Sequence, residues 1–442
     1  MKFFFRMVLL AWMLVFCSGC GLREEGGKAG GGGGQEAAGE TADGVWQQVD
    51  TAMGTVVQQT VYGSGEEVRE YFDRAGILLE NLEQDQISWR LETSEVFRIN
   101  QCAGRDEGCR ISEDMGRLLQ ACLQLSRKSE GAFDITLGPL VRLWNIDKWA
   151  AGGNGDDFPV PSGDEIRKTL ELCGSGRVRL EVRNPEGEAS FGEVLEERIS
   201  EGDSLEGGSF GKALEEGISE GDSLEGGSFG EALEERISEG GSLEGGSFGE
   251  ALGQGDFSGR GSGQEFRIWL PDGMQLDLGA VGKGVALSRF CDLLKGENGI
   301  TGAVVSLGGS ILTYGEKADG TPWKVGIVDP FDTSSNVGVL TLEGQWFIST
   351  SGDYERYVEA GGVRYHHILD PATGYPAECG VRGVTILAGD GLLSDGLSTA
   401  CFLLGPDRGM TLAGEYGAEV LFVMEDGEIV MSEGMKEYFQ ER

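Results

Sequence analysis

Histidine is almost absent from the sequence. Its 442 residues include only two, His366 and His367, and these are adjacent. Zinc and iron sites of the multi-histidine type take imidazoles from separate elements, so this chain is expected to have none. Any metal that the protein uses should therefore be a hard cation held by oxygen atoms.

Basic residues are scarce as well. The 36 Lys and Arg residues stand against 74 Asp and Glu residues, and the formal net charge is −38 at pH 7. A protein this acidic repels phosphate backbones, which excludes nucleic acid as a partner. Glycine is in excess, with 76 residues, so part of the chain is expected to lie outside any packed domain.

The N-terminal apolar segment is too short to span a membrane. It covers the eleven residues 7–17 and follows a positively charged start that contains Lys2 and Arg6. A bilayer-spanning helix needs about 20 apolar residues, whereas a shorter run suits the core of a secretory signal peptide. The segment therefore predicts export.

The residues after this segment resemble the lipobox of bacterial lipoproteins. Ser18-Gly19-Cys20 matches that pattern, although Cys17 stands where the pattern usually has Leu. We predict a lipoprotein signal peptide over 1–19, a lipid on Cys20 and a flexible Gly/Glu-rich tether over 20–44. The protein would then be anchored on the extracytoplasmic face of the cell membrane. An ordinary secretory signal cut near Gly19 is the alternative.

The other seven cysteines do not form a regular disulfide framework. Their number is odd, their spacing is irregular and none belongs to a Cys-x-x-Cys pair, so redox or zinc chemistry through cysteine is not expected. Cys102 and Cys109 lie in a short polar loop and could pair in an oxidising compartment. Cys122, Cys291 and Cys401 lie in apolar helical stretches and are expected to be buried thiols.

An acidic repeat interrupts the middle of the chain. Three copies of a 19-residue unit occupy 190–246 and contain 16 acidic and three basic residues. Each copy has four or five glycines and few apolar residues, which favours a disordered expansion over a stacked repeat array. We predict an insertion over 183–263 that enlarges a hairpin loop between the strand-like runs 177–182 and 265–270.

The remaining segments, 45–182 and 264–442, are long enough for one large catalytic body. Helical periodicity and strand-like apolar runs occur in mixed order, which indicates an α+β fold rather than a doubly wound parallel sheet. The expected helices cover 66–83, 115–128, 280–294 and 395–415, and the expected strands cover 303–307, 323–328, 383–388 and 419–423.

Nine segments of this body resemble, in order, the FAD:protein FMN transferase family, known as ApbE proteins. One short match of this kind carries little information, whereas nine in the family's order are specific. They are TAMGT (51–55), ISWRLETSEVFRIN (87–100), SEGAFDITLGPLVRLW (129–144), LDLGAVGKGVAL (276–287), VVSLGGSILTYG (304–315), WKVGIVDP (323–330), STSGDYERY (349–357), YHHILDPATGYP (365–376) and SDGLSTACFLLG (394–405).

The resemblance implies an ApbE-like fold and a magnesium-dependent enzyme with FAD as its substrate. Proteins of this family split FAD and attach FMN through its phosphate to a Ser or Thr of a partner protein. The partner would be an exported flavoprotein or a subunit of a membrane redox complex. The resemblance puts flavin contacts at Met53, Trp89, Ala132, Phe133, Asp134, Asp277, Lys283 and Ile368, and magnesium ligands at the Ala280 carbonyl, Asp395 and Thr399.

The residues themselves support two of these assignments. Asp395 and Thr399 are four apart, so on a helix they share one face, and their oxygen atoms suit magnesium. Ser398 is expected to face away, and capping of the helix by Ser394 or Asp395 is the structural alternative. The glycine-rich turn around Lys283 offers N–H groups to a phosphate at a helix start, although a tight structural turn explains the glycines by itself.

His367 is the candidate base. A histidine can accept the proton of an attacking hydroxyl at neutral pH, and the family pattern fixes the second position of the pair more tightly than the first. The alternative is that both histidines only hydrogen-bond locally or to the flavin. If His367 is not the base, the carboxylates Asp370 and Asp353 are the next candidates.

Several alternatives to this interpretation stay open. With water as the acceptor the protein would be an FAD pyrophosphatase that gives FMN and AMP, and without chemistry it would be a lipid-anchored flavin-binding protein. A third possibility is an acidic interaction protein in which the repeats matter most. Trp89, which is expected to stack on the flavin, and Phe133 are also compatible with plain core packing.

Overall fold

The computed structural model describes residues 36–42, 44–151, 157–183, 189–190, 263–297 and 299–442. All of them belong to one compact unit, which lies within Met1–Gly192 and Gly255–Arg442. The predicted signal peptide and most of the acidic insertion lie outside the described residues. Within the described part, no helix is both long enough and apolar enough to cross a membrane.

The described residues form eighteen strands in four antiparallel sheets. Alternation of buried and exposed residues, as in β10, is typical of strands with one solvated face. The strands are β1 (Glu36–Ala42), β2 (Val45–Ala52), β3 (Thr55–Gly63), β4 (Cys109–Ile111), β5 (Arg179–Arg183), β6 (Ala189–Ser190), β7 (Glu265–Trp269), β8 (Ile300–Leu307), β9 (Ser310–Gly315), β10 (Trp323–Val328), β11 (Asn336–Leu342), β12 (Trp346–Gly352), β13 (Tyr357–Ala360), β14 (Val363–His366), β15 (Val381–Ala388), β16 (Glu419–Met424), β17 (Ile429–Met431) and β18 (Phe439–Glu441).

Nine α-helices accompany the strands in the described part of the chain, together with a π-helix (Leu82–Ile87) and a 3-10 helix (Ser175–Arg177). They are α1 (Gly65–Asn81), α2 (Glu95–Gln101), α3 (Glu113–Lys128), α4 (Gly138–Trp144), α5 (Ile146–Ala150), α6 (Gly163–Leu170), α7 (Gly282–Lys295), α8 (Gly391–Glu415) and α9 (Met435–Tyr438). Ser112 caps α3 by accepting the Met115 N–H (3.2 Å), and Ser162 and Glu165 form a capping box on α6. The periodicity predictions are confirmed for α1, α3 and α7, and the strand predictions for β8, β10, β15 and β16.

The nine-stranded sheet is the middle layer of the fold. Its strands follow the order β1-β2-β3-β8-β9-β12-β15-β16-β17. Successive residues of a strand point to opposite faces: in β12, Phe347 packs among residues of α1 and α7, whereas Ile348 packs against the small sheet β10-β11-β18. The helices α3 and α8 pack with β15 and β16 in a further core. The mixed α+β prediction is confirmed.

The sheet β4-β7-β5-β6 holds both ends of the acidic insertion. β5 and β7 are direct antiparallel partners, from Arg179 opposite Trp269 to Arg183 opposite Glu265. The strands on either side of the repeat are thus paired, as the hairpin prediction requires.

The predicted tether over 20–44 ends earlier than its composition indicated. Residues Glu36–Ala42 form β1, which pairs with β2 at the edge of the large sheet. The unpaired N–H and C=O groups of an edge strand can bind a further strand whatever its side chains are. A composition rich in Gly and Glu does not reveal such pairing.

The helix predicted over 395–415 begins earlier and is interrupted. α8 starts at Gly391, and the side chain of Asp390 caps its first turn. Gly405 has φ 72° and ψ −179°, and Pro406 follows it. Because proline lacks an N–H and clashes with the preceding turn, the helix stops and restarts at this point.

Candidate functional site

The centre of the candidate site is Asp395 in the first half of α8. The residue is only 2% exposed. Its Oδ2 accepts the Gly284 N–H (2.9 Å), and its Oδ1 accepts the Ser310 hydroxyl (2.9 Å) and lies 3.3 Å from Lys283 Nζ. A buried carboxylate needs such partners, and these partners tie the start of α7 to α8.

Gly284 is required where α7 approaches α8. A Cβ on this residue would lie 2.0 Å from the Gly391 carbonyl oxygen and 2.8 Å from Asp395 Cβ. Because no side chain fits there, glycine allows the first turn of α7 to reach the Asp395 carboxylate. A helix N-terminus with Lys283 beside it is a favourable place for an anion.

Thr399 lies one turn after Asp395 and is half-buried. Its hydroxyl is 3.5 Å from Ser351 Oγ on β12, and Ser351 also shares a 2.8 Å hydrogen bond with Ser398. The prediction that Ser398 faces away is wrong, because it is buried and donates to the Asp395 carbonyl (2.7 Å). The two hydroxyls reach the same strand residue because this face of α8 packs against β12.

The oxygen atoms predicted to bind magnesium suit a hard cation. Asp395 supplies a carboxylate, Thr399 a hydroxyl and Ala280 a backbone carbonyl just before α7. Among the described residues, no group of three or more His, Cys, Asp and Glu side chains is arranged to hold a metal ion. A magnesium ion here would therefore have a single carboxylate ligand and would need further oxygens from phosphate or water.

Asp277 braces the turn that leads into α7. Its Oδ1 accepts the Gly279 N–H (2.8 Å). Burial raises the pKa of this carboxyl, against that hydrogen bond and the attraction of Arg90 and Arg356. The turn that the sequence indicated as a phosphate-binding element is therefore held in place by its own carboxylate.

Met53 covers the start of α7 from the other side. Its Cε lies 3.3 Å, and Ile87 Cδ1 3.2 Å, from the position that a Cβ on Gly282 would take. The Met53 backbone has φ 53°, and its N–H donates to Glu83 Oε2 (3.0 Å). The predicted flavin contact thus adjoins the predicted phosphate turn.

Trp89 lies next to two arginines. The guanidinium carbons of Arg90 and Arg142 are 4.2 and 4.5 Å from the indole ring centroid. Cations over an indole are attracted by the charge distribution of the ring. The indole that was expected to stack on a flavin already has cationic neighbours, which the sequence did not predict.

Asp147 connects Arg90 to a third arginine. Its Oδ2 lies 3.2 Å from Arg90 Nη2, and its Oδ1 lies 2.9 Å from Arg356 Nη1. No periodicity links Arg90, Arg142 and Arg356, because they are far apart in the chain. The available signal was that each lies inside one of the nine matching segments.

The two histidines bond to backbone carbonyls through different ring nitrogens. His366 is 5% exposed, packs against Phe402 and is bonded through Nε2 to the Ala377 carbonyl (2.9 Å). His367 is bonded through Nδ1 to the Arg356 carbonyl (3.2 Å). Because a carbonyl only accepts, we assign the proton to the bonded nitrogen in each ring. The Nε2 of His367 is therefore a free acceptor.

The protonation state of His367 suits a base. Burial lowers the pKa of this ring well below its usual value, and the nearby charges of Arg356 and Lys283 lower it further. The ring is thus neutral at pH 7 and can accept a proton. It lines a pocket together with Trp89, Arg90, Val141, Trp144, Asn145, Ile146, Asp147 and Leu369.

The predicted flavin contacts at 132–134 are largely engaged within the protein. Phe133 is buried in the core. Asp134 Oδ1 accepts the N–H and the hydroxyl of Thr136 (2.7 Å each), and its Oδ2 accepts the Ser175 N–H (3.0 Å). Ala132 is half-buried, and Ile368 is also a core residue. Contact of these residues with a flavin stays a prediction.

The two alternative bases are held by other groups. Asp370 accepts the Ala372 N–H (2.8 Å) and the Thr373 hydroxyl (3.0 Å) within its own turn. Asp353 is buried and forms a 2.6 Å ion pair with Arg382. The Asp370 carboxylate therefore stabilises its own turn, and the Asp353 carboxylate binds Arg382 on β15.

Glu355 is a carboxylate that the sequence did not single out. No hydrogen bond or ion pair joins its side chain to the other described residues, and its Oε1 lies 2.7 Å from the position of a Cβ on Gly309. Glu355 is exposed at the surface, but the protein atoms around its carboxyl partly displace water and raise its pKa, against the attraction of Lys283 and Arg356, and Asp395 raises the pKa further. Glu355 is thus close to the charged groups at the start of α7.

The sequence also matches a protein-family model. The sequence fits the model described as the ApbE family over residues 53–213 and 258–422. The unmatched stretch between them lies within the predicted acidic insertion.

Characterised relatives and solved structures agree with this match. The chain is 36% identical over 319 residues to a Salmonella typhimurium protein named FAD:protein FMN transferase, covering 72% of this chain and 67% of the relative. A Treponema pallidum protein of the same name is 27% identical over 434 residues, covering 96% and 93%.

Two crystal structures share the fold. The ApbE protein of Thermotoga maritima has a TM-score of 0.63 at 27% identity, covering 90% of this chain and all of that one. The flavinyl transferase ApbE of Pseudomonas stutzeri has a TM-score of 0.58 at 24% identity, covering 89% and 96%. Asp395 joins the start of α7 to α8, and the matched ranges lie on both sides of the unmatched stretch. The chain belongs to the ApbE family.

Proposed function

We propose that the protein is an FAD:protein FMN transferase that cleaves FAD, links FMN to a Ser or Thr of an acceptor protein and releases AMP. The names of its relatives support this proposal. The observation that carries it is the buried Asp395 carboxylate, held beside Lys283 at the first turn of α7. The positive charge of Lys283 and the carboxylate oxygens of Asp395 thus lie next to each other at the start of α7. Such a combination suits the binding of a pyrophosphate.

Residues at the start of α7 would bind the pyrophosphate of FAD. Lys283 supplies a positive charge, and the first turn of the helix supplies N–H groups. Magnesium, when bound by Asp395, Thr399 and the Ala280 carbonyl, would neutralise charge that develops on the phosphates. Trp89 would flank the flavin ring system.

His367 would act as the base. Its free Nε2 would take the proton of the acceptor hydroxyl while that oxygen attacks the phosphorus on the riboflavin side of FAD. The bond from this phosphorus to the bridging oxygen then breaks, and AMP leaves. The hydrogen bond from Nδ1 to the Arg356 carbonyl keeps Nε2 unprotonated and fixes the ring. This reaction needs no covalent enzyme intermediate.

The test separates transfer, hydrolysis and simple binding. The full chain is incubated with FAD and magnesium, with and without an exported flavoprotein that contains a candidate Ser/Thr site. We expect AMP release together with FMN covalently attached to the acceptor, measured by chromatography and intact mass. AMP release without an acceptor would indicate an FAD pyrophosphatase. FAD binding with no AMP under either condition would contradict the enzyme proposal.

We also propose that the acceptor and the enzyme meet outside the cytoplasmic membrane, with the enzyme held there by a lipid on Cys20. The short apolar segment and the small residues before Cys20 support this. Replacing Cys20→Ala should release the protein from the membrane fraction or block its processing. Unchanged processing and retention, measured by fractionation and immunoblotting, would contradict the lipid anchor.

A further inference from the structure

The loop between α2 and β4 begins and ends with a cysteine. Cys102 is the C-cap of α2, and Cys109 is the first residue of β4. Two successive turns fold the loop back: the Arg105 N–H donates to the Cys102 carbonyl (3.1 Å), and the Gly108 N–H donates to the Arg105 carbonyl (3.1 Å). The chain therefore returns to Cys102 as it enters β4.

Strand β7 and the residue that follows it hold this loop at both ends. The Gly104 N–H donates to the Leu270 carbonyl (2.9 Å), and Cys109 is paired with Ile268. Between these points, the Trp269 indole N–H donates to the Asp106 carbonyl (2.9 Å). The two cysteines are thus attached to neighbouring positions of one rigid segment.

The two cysteines belong to one part of the core. Cys109 is a core residue, and Cys102 packs against the same core. Burial, and then the neighbouring Cys102, raises the pKa of Cys109 to about 12. Cys102 is half-buried, so it is accessible from solvent, whereas Cys109 is buried. No neighbouring cysteine raises the pKa of any of the other five thiols in the described chain.

We propose that Cys102 and Cys109 form an intramolecular disulfide in the mature protein. The oxidant is a disulfide of a thiol–disulfide exchange donor. The Cys102 thiolate attacks a donor sulfur, forms a mixed disulfide and releases one donor thiolate. Cys109 then loses its proton to water and attacks Cys102 Sγ, which forms the Cys102–Cys109 bond and releases the second donor thiolate. The two protein thiols are oxidised, and the donor disulfide is reduced to two thiols.

The bond would strengthen the support of the phosphate turn. In α2, Asn100 donates to the Leu276 carbonyl (3.0 Å) and accepts the Leu276 N–H (2.7 Å). Leu276 directly precedes Asp277, so the end of α2 is tied to the turn that leads to Lys283. A link between Cys102 and β4 fixes the end of the same helix.

Peptide mapping tests the bond directly. The full chain is equilibrated with oxidised and reduced glutathione, alkylated under denaturing conditions and digested with trypsin. Trypsin cuts after Arg98, Arg105 and Arg110, which places the two cysteines in separate peptides, 99–105 and 106–110. We expect these peptides to appear joined, at their summed mass less two hydrogen atoms, and to separate when a reductant is added before alkylation.

Variants and a stability measurement complete the test. Cys102→Ser and Cys109→Ser should abolish the joined peptide, whereas Cys173→Ser, a half-buried control, should retain it. The parent melting temperature should fall by about 5 °C on reduction, and that shift should be absent in both loop variants. Separately alkylated peptides in the oxidised parent, or a joined peptide that contains another cysteine, would overturn the proposal.

Discussion

The site has two ends of different character. The phosphate end consists of Asp395, Lys283, Gly284, Ser310 and Thr399, and its central carboxylate is buried with every contact made inside the protein. The ring end consists of Trp89, Arg90, Arg142, Asp147, Arg356 and His367, and its ion pairs join groups that are substantially exposed. The first end is set before a ligand arrives, and the second can rearrange around one.

The difference follows from the energetics of charges. Ion pairs between exposed groups contribute about 0.2–1 kcal/mol each, so Arg90 and Arg356 can leave Asp147 at small cost when a ligand binds. Removing a partner from a buried charge costs about 3–5 kcal/mol, which keeps Asp395 and Lys283 in one arrangement. Preorganised charges such as those of the phosphate end stabilise developing charge best.

Loss of charge at the phosphate end should have the largest effect. Asp395→Asn retains the shape of the side chain but removes the only charged metal ligand that we assign. The metal contributes several kcal/mol to the transition state, so FAD cleavage is expected to fall by about 10⁴-fold or more. AMP release at saturating FAD, measured across a magnesium titration, checks this.

The matched control for this variant is Asp390→Asn. Asp390 caps the same helix by accepting the Leu393 N–H (2.9 Å), five residues away from Asp395. Because asparagine caps a helix about as well as aspartate, this substitution should leave stability almost unchanged and FAD cleavage near the parent rate. Parent-like magnesium dependence in Asp395→Asn would show that the metal ligands are elsewhere.

Loss of the base at the ring end should have the next largest effect. A general base contributes about 10²–10⁴-fold to the rate and little to binding of the ground state. His367→Ala should therefore reduce FMN transfer by a factor in that range, while FAD affinity, measured by flavin fluorescence, stays within about threefold.

A different outcome would identify another role for His367. If the variant loses FAD affinity in proportion to its turnover, the ring positions the ligand rather than accepting a proton. Glu355 would then be the first carboxylate to test as the base, because Asp353 and Asp370 are occupied by other groups. His366→Ala should reduce the rate less, since that ring bonds to the Ala377 carbonyl in the core.

The residues of the phosphate end can be predicted from the sequence better than those of the ring end. The phosphate end depends on local patterns, namely the glycine-rich turn before α7 and the four-residue spacing of Asp395 and Thr399. The contact to Ser310 was missed there, because it comes from a distant strand, and the orientation of Ser398 was predicted wrongly. The ring end depends on Arg90, Arg142 and Arg356, which only the tertiary fold brings together.

Local hydrogen bonds engage one residue that only the resemblance assigned to the flavin. The Asp134 carboxylate is used by Thr136, two residues later. The sequence Asp-x-Thr at such spacing is typical of a side chain that hydrogen-bonds its own turn, so this signal was present. The pairing of β1, in contrast, depends on backbone groups at a sheet edge, and no side-chain pattern predicts it.

The core behind the ring end should lose stability in acid through His366. Burial lowers the pKa of His366 from its usual value of 6.5, so below pH 6.5 the unfolded chain binds the proton more readily than the folded one. Stability due to this residue is therefore complete at neutral pH and is lost as the pH falls through 6.5 toward the folded pKa. Chemical denaturation at pH 7.5 and 5.5 measures the loss.

The contribution of His366 is isolated by difference. His366→Gln retains a donor for the Ala377 carbonyl but does not titrate, so its stability should fall less than that of the parent between the two pH values. The nearby carboxyl of Asp353, whose pKa burial raises and the charges of Arg382 and His366 lower, titrates in both proteins, so only its interaction with His366 remains in the difference. Equal losses in parent and variant would show that His366 does not titrate in this range.

Removal of the acidic insertion should have the smallest effect, because the strands that flank it, β5 and β7, contribute no residue to either end of the site. Arg183 and Glu265 are directly paired partners at the ends of β5 and β7, so a two-residue Asn-Gly turn can replace 184–264. Loops contribute little to a fold whose flanking strands pair without them, and FMN transfer should stay within about twofold of the parent rate. A control that replaces the same residues with a Gly/Ser linker of equal length retains the loop but removes its charge. If both variants lose transfer to a protein acceptor while FAD cleavage persists, the acidic repeat recognises the acceptor, and the interaction hypothesis applies to that step alone.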